Sequence, residues 1–170
     1  MNLNKNLVFL GMMGSGKSSI GNLVSKKLNL SFIDIDNLIE AKTNMTIAEI
    51  FKEKGEDHFR VLEKKITLKT LKNIGTVVSL GGGSFINNEI RKEVLTNHFS
   101  FWLDWEDSIL LKRIKDSKKR PLAFQLNDQQ IRQLIKKRLK IYSKAQFKIN
   151  CNKLTKAEIV KKIINIYEIN

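Results

Sequence analysis

The segment Gly11-Met12-Met13-Gly14-Ser15-Gly16-Lys17-Ser18 has the spacing of a phosphate cradle. Its glycines let the backbone wrap around a polyphosphate with the N–H groups turned inward. Lys17 is placed to reach the outer phosphates, and the Ser18 hydroxyl suits a Mg²⁺ ion. The segment follows the apolar run Leu7–Leu10 and precedes Ile20, Leu23, Val24 and Leu28 at helical spacing, which is the strand–loop–helix setting such a cradle needs. A nucleoside triphosphate is the expected ligand.

Two further groups could complete a reaction. Asp34 and Asp36 stand one residue apart at the end of an apolar run, so a continuing strand would point both carboxylates the same way. Beside a phosphate loop, one could support Mg²⁺ directly or through water while the other accepts the proton of an attacking hydroxyl. The plainer alternative is that Asp36 caps a helix beginning near Asn37. Gly81-Gly82-Gly83 ends a third apolar run, where bare backbone can approach a ligand and donate to it, although a tight strand-to-helix turn would also use glycine. That run carries Ser79 near its end and no acid, so the metal-supporting duty falls to Asp34.

Only six of the 31 basic residues are arginine: Arg60, Arg91, Arg113, Arg120, Arg132 and Arg138. Where lysine serves for plain charge, a retained guanidinium hints at a carboxylate, a phosphate or a stacked ring that needs the planar fork, while Arg91 and Arg132 also read as solvated helix residues.

The elements that must hold these residues alternate. Strands are expected at Leu7–Leu10, Ser31–Asp34, Thr76–Leu80, Phe99–Leu103 and Phe147–Asn150. Helices are expected at Lys17–Leu28, Ile47–Lys54, Asp57–Lys72, Glu89–Leu95, Asp107–Lys115, Gln129–Tyr142 and Lys156–Tyr167. Thr46 with Glu49 and Thr155 with Glu158 form capping boxes, and Gly55 fits a helix stop. This order predicts an α/β fold of three layers, a parallel five-stranded sheet with helices on both faces and ligands at the carboxyl ends of the strands. The candidate residues fall at those ends. The polar segment 116–127, with the chain's one proline, reads as a lid over a single domain spanning residues 1–170.

Composition narrows the classes. No stretch approaches the ~18 apolar residues of a membrane span, and the N-terminal apolar run is too short for a signal peptide, so a cytoplasmic protein without membrane attachment is expected. Cys151 is the only cysteine, which excludes an internal disulfide. The net charge of +14 raises nucleic acid as a partner, but the lysines are dispersed from Lys5 to Lys162, and attraction of anionic small molecules accounts for them.

Taken in order, Gly11–Ser18, Phe32-Ile33-Asp34-Ile35-Asp36, Phe59-Arg60-Val61-Leu62-Glu63, Ser79-Leu80-Gly81-Gly82-Gly83, Arg120-Pro121-Leu122, and Arg138 with Tyr142 resemble shikimate kinase along nearly the whole chain. The resemblance implies a nucleoside-monophosphate-kinase-like P-loop fold with a lid, ATP and Mg²⁺, and shikimate as acceptor of the γ-phosphate at its 3-hydroxyl. It assigns catalysis to Asp36, Lys17 and Arg120. ATP falls to Gly14, Ser15, Gly16, Lys17, Ser18, Ser19, Arg113 and Arg120, with Arg113 packed on adenine. Shikimate falls to Asp36, Arg60, Gly82 and Arg138, the two arginines on its carboxylate. Ser18 holds the metal and Asp34 supports it through water. Phe51, Phe59 and Glu63 shape the acceptor pocket, and a monomer is expected. Where the family carries an acidic residue after the last strand, this chain has Asn150-Cys151-Asn152. The rivals are a gluconate kinase, a nucleotide kinase, and a basic nucleic-acid-binding protein with an incidental P-loop.

Overall fold

The computed structural model describes residues 5–116 and 126–170. Five parallel strands, β1 (Leu7–Leu10), β2 (Ser31–Asp34), β3 (Thr76–Ser79), β4 (Phe99–Asp104) and β5 (Phe147–Asn150), form one sheet in the order β2-β3-β1-β4-β5. The phosphate-loop strand is therefore central, flanked by β3 and β4. The period-two alternation of side chains divides it between two cores. Leu7 and Phe9 face α1 (Lys17–Leu28) and α7 (Lys156–Ile169), with Val24, Ile163 and Tyr167 buried there. Val8 and Leu10 face the opposite layer, which contains α2 (Ile35–Thr43), α3 (Ile47–Leu71), α4 (Asn88–Asn97), α5 (Asp107–Lys115) and α6 (Asp128–Tyr142). The sheet is covered on both faces, as near-continuous apolar parallel strands require.

Both expected capping boxes form, Thr46 with Glu49 and Thr155 with Glu158, and Asn127 with Gln130 makes a further one at the start of α6. At Gly55 the stop is a break inside α3: φ is 80° and ψ 169°, a combination that essentially only glycine adopts. The break re-aims the segment carrying Glu56, Phe59, Arg60 and Glu63. Gly55→Ala is expected to lower stability by about 1–3 kcal/mol, read as a fall in the urea midpoint; an unchanged midpoint would show that the break relaxes at no cost.

One local expectation is corrected. The strand ends at Asp34, and α2 begins at once, so Asp36 lies in the first helical turn and the two carboxylates are not strand neighbours. Asp34 is the cap: its Oδ1 accepts from Asn37 N at 3.2 Å. That leaves Asp36 without the capping duty offered as its plainer reading.

At the opposite end of the sheet, Asn6 is fully buried. Its amide donates to Leu71 O at 3.0 Å and accepts from Thr76 N at 3.0 Å. One side chain thus fastens the end of α3 to the start of β3.

Candidate active site

The phosphate loop departs from β1 with Gly11, Gly14 and Gly16 at positive φ. Ser15 N donates to Met12 O at 3.1 Å, which closes the loop. Lys17 is buried, and its Nζ donates to Gly11 O and Met12 O at 3.0 and 3.1 Å. The first turn of α1 itself carries no acidic residue, so its N–H groups and dipole favour an anion there. Ser15 Oγ is buried without a hydrogen-bond partner among the described residues, the kind of orphan a phosphate oxygen would satisfy. Trp105, after β4, donates its indole N–H to Ser15 O at 2.9 Å.

Ser18 and Asp34 meet directly. Ser18 Oγ donates to Asp34 Oδ2 at 2.5 Å. The pair supplies hard oxygen donors at the mouth of the cradle, which fits Mg²⁺ and not a thiolate-seeking ion. Ser79 is buried beside Asp34 in the β2–β3 register.

Asp36 is half-buried against the glycine triplet. Burial, reinforced by the charges of Asp34, Glu63 and Glu40 against the opposing pull of Lys17, pushes its pKa from 3.8 up to about 6. Such a carboxyl is a better proton acceptor than an exposed aspartate and is still ionised at neutral pH.

The triplet serves the site through space. None of its glycines has positive φ. A Cβ on Gly81 would lie 2.6 Å from both Asp36 Oδ1 and Glu63 Oε1, and one on Gly83 would lie 2.6 Å from Arg60 Nη1. Glycine is required because the site's own side chains close over this backbone. Ser84, just beyond it, donates to Glu63 Oε1 at 2.6 Å.

The two expected carboxylate-binding arginines differ in company. Arg60 donates through Nε and Nη2 to Glu56 Oε1 at 3.1 and 2.9 Å, and through Nη1 to Glu63 Oε2 at 2.8 Å. Burial works against its charge, but Glu63 and Glu56 outweigh burial and raise its pKa. Phe59 lies under the guanidinium at 5.1 Å and contacts Phe51. Arg138 is buried; its Nη1 donates to Gly82 O at 3.2 Å, and among the described residues its Nε has no partner and no carboxylate pairs with it. Tyr142 also donates to Gly82 O, and burial pushes its phenol up to about 12, which keeps the proton on.

Arg113, exposed on the last turn of α5, lies 3.8 Å over the Trp105 ring. Cys151 is fully buried, and burial pushes its thiol up to about 12, so it is an inert core residue. Asn152 accepts from Glu106 N at 3.0 Å and so ties the β5 end to the start of α5. Ser19 is exposed in the first turn of α1. Arg120, with most of the expected lid, lies outside the described residues.

Sequence reasoning missed Glu56, Ser84 and the use of Tyr142 and Trp105. Glu56 sits four residues before Arg60, a spacing that signals an ion pair on a helix. The contacts of Ser84 and Trp105 span 21 and 90 residues, with no local signal.

A parallel five-stranded sheet with a phosphate loop after its central strand, and a half-buried carboxylate and two arginines gathered on the glycine triplet, defines a P-loop kinase of the nucleoside-monophosphate-kinase type acting on a small acceptor. The family model for shikimate kinase matches residues 13–168. A shikimate kinase of a Sulfurihydrogenibium species is 41% identical over 160 residues, covering 94% of this chain and 96% of its own. One from Thermodesulfovibrio yellowstonii is 38% identical over 165 residues, covering 96% and 95%. Among solved structures, shikimate kinase from Acinetobacter baumannii in complex with shikimate superposes with a TM-score of 0.90 at 29% identity, covering 96% of this chain and 92% of that one. The chain belongs to the shikimate kinase family, whose reaction moves the γ-phosphate of ATP to the 3-hydroxyl of shikimate, giving shikimate 3-phosphate and ADP on the route to the aromatic amino acids. No helix among the described residues is long and apolar enough to cross a membrane.

Proposed function

We propose that the reaction is carried by Asp36, Lys17 and Arg120 within one kinase domain spanning residues 1–170. The observation that supports this most is the convergence on Gly81–Gly83: Asp36, Arg60 and Arg138 all approach the same three residues of bare backbone. An acceptor seated there has its carboxylate toward the arginines and a hydroxyl toward Asp36. Asp36 takes the proton of that hydroxyl as its oxygen bonds to the γ-phosphorus and the bond to the β-phosphate oxygen breaks, releasing ADP. Lys17, Arg120 and the N–H groups of Gly14–Ser19 hold the phosphates and offset the charge spreading onto the transferring group.

Ser18 would hold Mg²⁺, with Asp34 supporting it through water. When bound, the ion neutralises phosphate charge. The Ser18–Asp34 hydrogen bond brings the two oxygens together at that place. Arg113 packs on adenine, and Phe51, Phe59 and Glu63 enclose the acceptor. A monomer in the cytoplasm is the expected working form.

The test is ADP release against shikimate, quinate, gluconate and nucleoside monophosphates, with and without Mg²⁺. Mg²⁺-dependent ADP formation above background with shikimate is expected; its absence would overturn the assignment. Arg60→Lys is expected to raise the KM for shikimate and lower turnover, because lysine cannot serve Glu56, Glu63 and a substrate carboxylate with one point charge. Unchanged steady-state constants would remove Arg60 from the carboxylate site.

A further inference from the structure

We propose that Trp105 is a nucleotide-positioning residue that joins the base platform to the phosphate loop. This rests on the reading that ATP lies on the loop with its base on Arg113. One face of the indole carries the Arg113 guanidinium, 3.8 Å from the ring centroid. Tryptophan is the strongest aromatic partner for such a cation, and the contact fixes a long side chain that would otherwise sample many rotamers in water. Arg113 is exposed, and the guanidinium face turned from Trp105 is where this reading seats the purine. A base seated there completes a stack in which the guanidinium lies between two π-systems.

The polar edge of the same indole acts on the loop. Trp105 Nε1–H donates to Ser15 O at 2.9 Å. Every described peptide is trans, so the N–H of Gly16, in the same peptide unit, points the opposite way, away from Trp105. Gly16 has φ 87° and caps α1, a conformation in which a loose peptide unit could rotate at little cost. Holding the Ser15 carbonyl holds the Gly16 donor in one orientation for phosphate. Trp105 is itself fixed by its neighbour, because Glu106 N donates to Asn152 Oδ1 at 3.0 Å. The residues Asn150-Cys151-Asn152, where the resemblance called for an acid, thereby take part in the nucleotide half through Trp105.

Titration calorimetry with ADP and with inorganic tripolyphosphate separates the two contacts. Trp105→Phe keeps a ring under Arg113 and loses the N–H, so the Kd for tripolyphosphate is expected to rise about threefold to tenfold for one lost hydrogen bond, and that for ADP by at least as much. Trp105→Leu loses the ring as well, and its additional loss should fall on ADP alone and vanish in an Arg113→Ala background. The KM for shikimate at saturating ATP should stay within twofold in both variants. The indole emission of the parent should change on ADP binding, and that change should be absent from Trp105→Phe. If Trp105→Leu does not fold, Trp105→Phe and the emission change still decide the matter. ADP and tripolyphosphate Kd values within twofold of the parent in Trp105→Phe would overturn the proposal, as would a loss confined to ADP in that variant. A parent that binds neither ligand overturns the nucleotide placement itself, a result distinct from failure at Trp105.

Discussion

Asp36→Asn is expected to cost about 10²–10⁴-fold in kcat and, at the same time, to make the protein more stable at neutral pH. The two effects have one cause. The environment that raises the Asp36 pKa from 3.8 to about 6 does so chiefly by burial, with Asp34, Glu63 and Glu40 adding repulsion. A carboxyl raised in the folded state binds its proton more tightly there than in the unfolded chain. Stability therefore falls as pH rises through 3.8 to about 6, and the full penalty is present above that. Two pKa units are about 3 kcal/mol, and residual solvent contact reduces this to about 1–3 kcal/mol. Asparagine fills the same volume without the charge. Denaturation at pH 8 should show the variant more stable than the parent, and at pH 4 the advantage should shrink. In the parent, kcat/KM for shikimate should fall tenfold per pH unit below an apparent pKa of about 6, because the protonated form cannot accept the hydroxyl proton. A variant with parental turnover, or a parent rate flat from pH 5 to 7, would remove Asp36 as the base.

The parts of this site legible in the sequence are those written in local chemistry. The phosphate loop is contiguous, and its strand and helix carry their periods on either side, so Gly11–Ser18 and α1 were found where they lie. The capping boxes at Thr46 and Thr155 are three-residue signals and formed as expected. Where two local rules compete, reading fails: Asp34 and Asp36 are both good caps, and the choice of Asp34 goes with β2 ending its pairing with β3 at the Asp34–Ser79 register, a tertiary fact that the β2 sequence does not carry. The glycine triplet was legible as a site but not for its reason, since the side chains that need the space come from α2 and α3. Ser84 on Glu63 and Trp105 on Ser15 belong to tertiary packing, which no period or motif encodes.

Arg138→Met is expected to raise the KM for shikimate by about 100-fold or more while leaving the unliganded protein as stable as the parent or more so. The sequence treats Arg60 and Arg138 as a pair, and the structure separates them. Arg60 is partly exposed and already faces two carboxylates, Glu56 and Glu63. Its charge is balanced before substrate arrives. Arg138 is 6% exposed, its Nε has no partner among the described residues, and its Nη1 bonds there are to a carbonyl and the Met12 sulfur. A buried cation with no counterion among the described residues is unfavourable until an anion binds, so the affinity for the substrate carboxylate is expected to reside more in Arg138 than in Arg60. Methionine matches much of the stem and suits the Met12 contact, and Gly82 O keeps the Tyr142 hydroxyl as its donor. Thermal shifts should separate the two halves of this expectation: shikimate stabilises the parent by mass action, and in Arg138→Met that shift should vanish at parental saturating concentrations. Arg138→Lys, with charge but no fork, should fall between them. A methionine variant with shikimate KM within tenfold of the parent would place the carboxylate on Arg60 instead, and Glu56 would then have to give way for it.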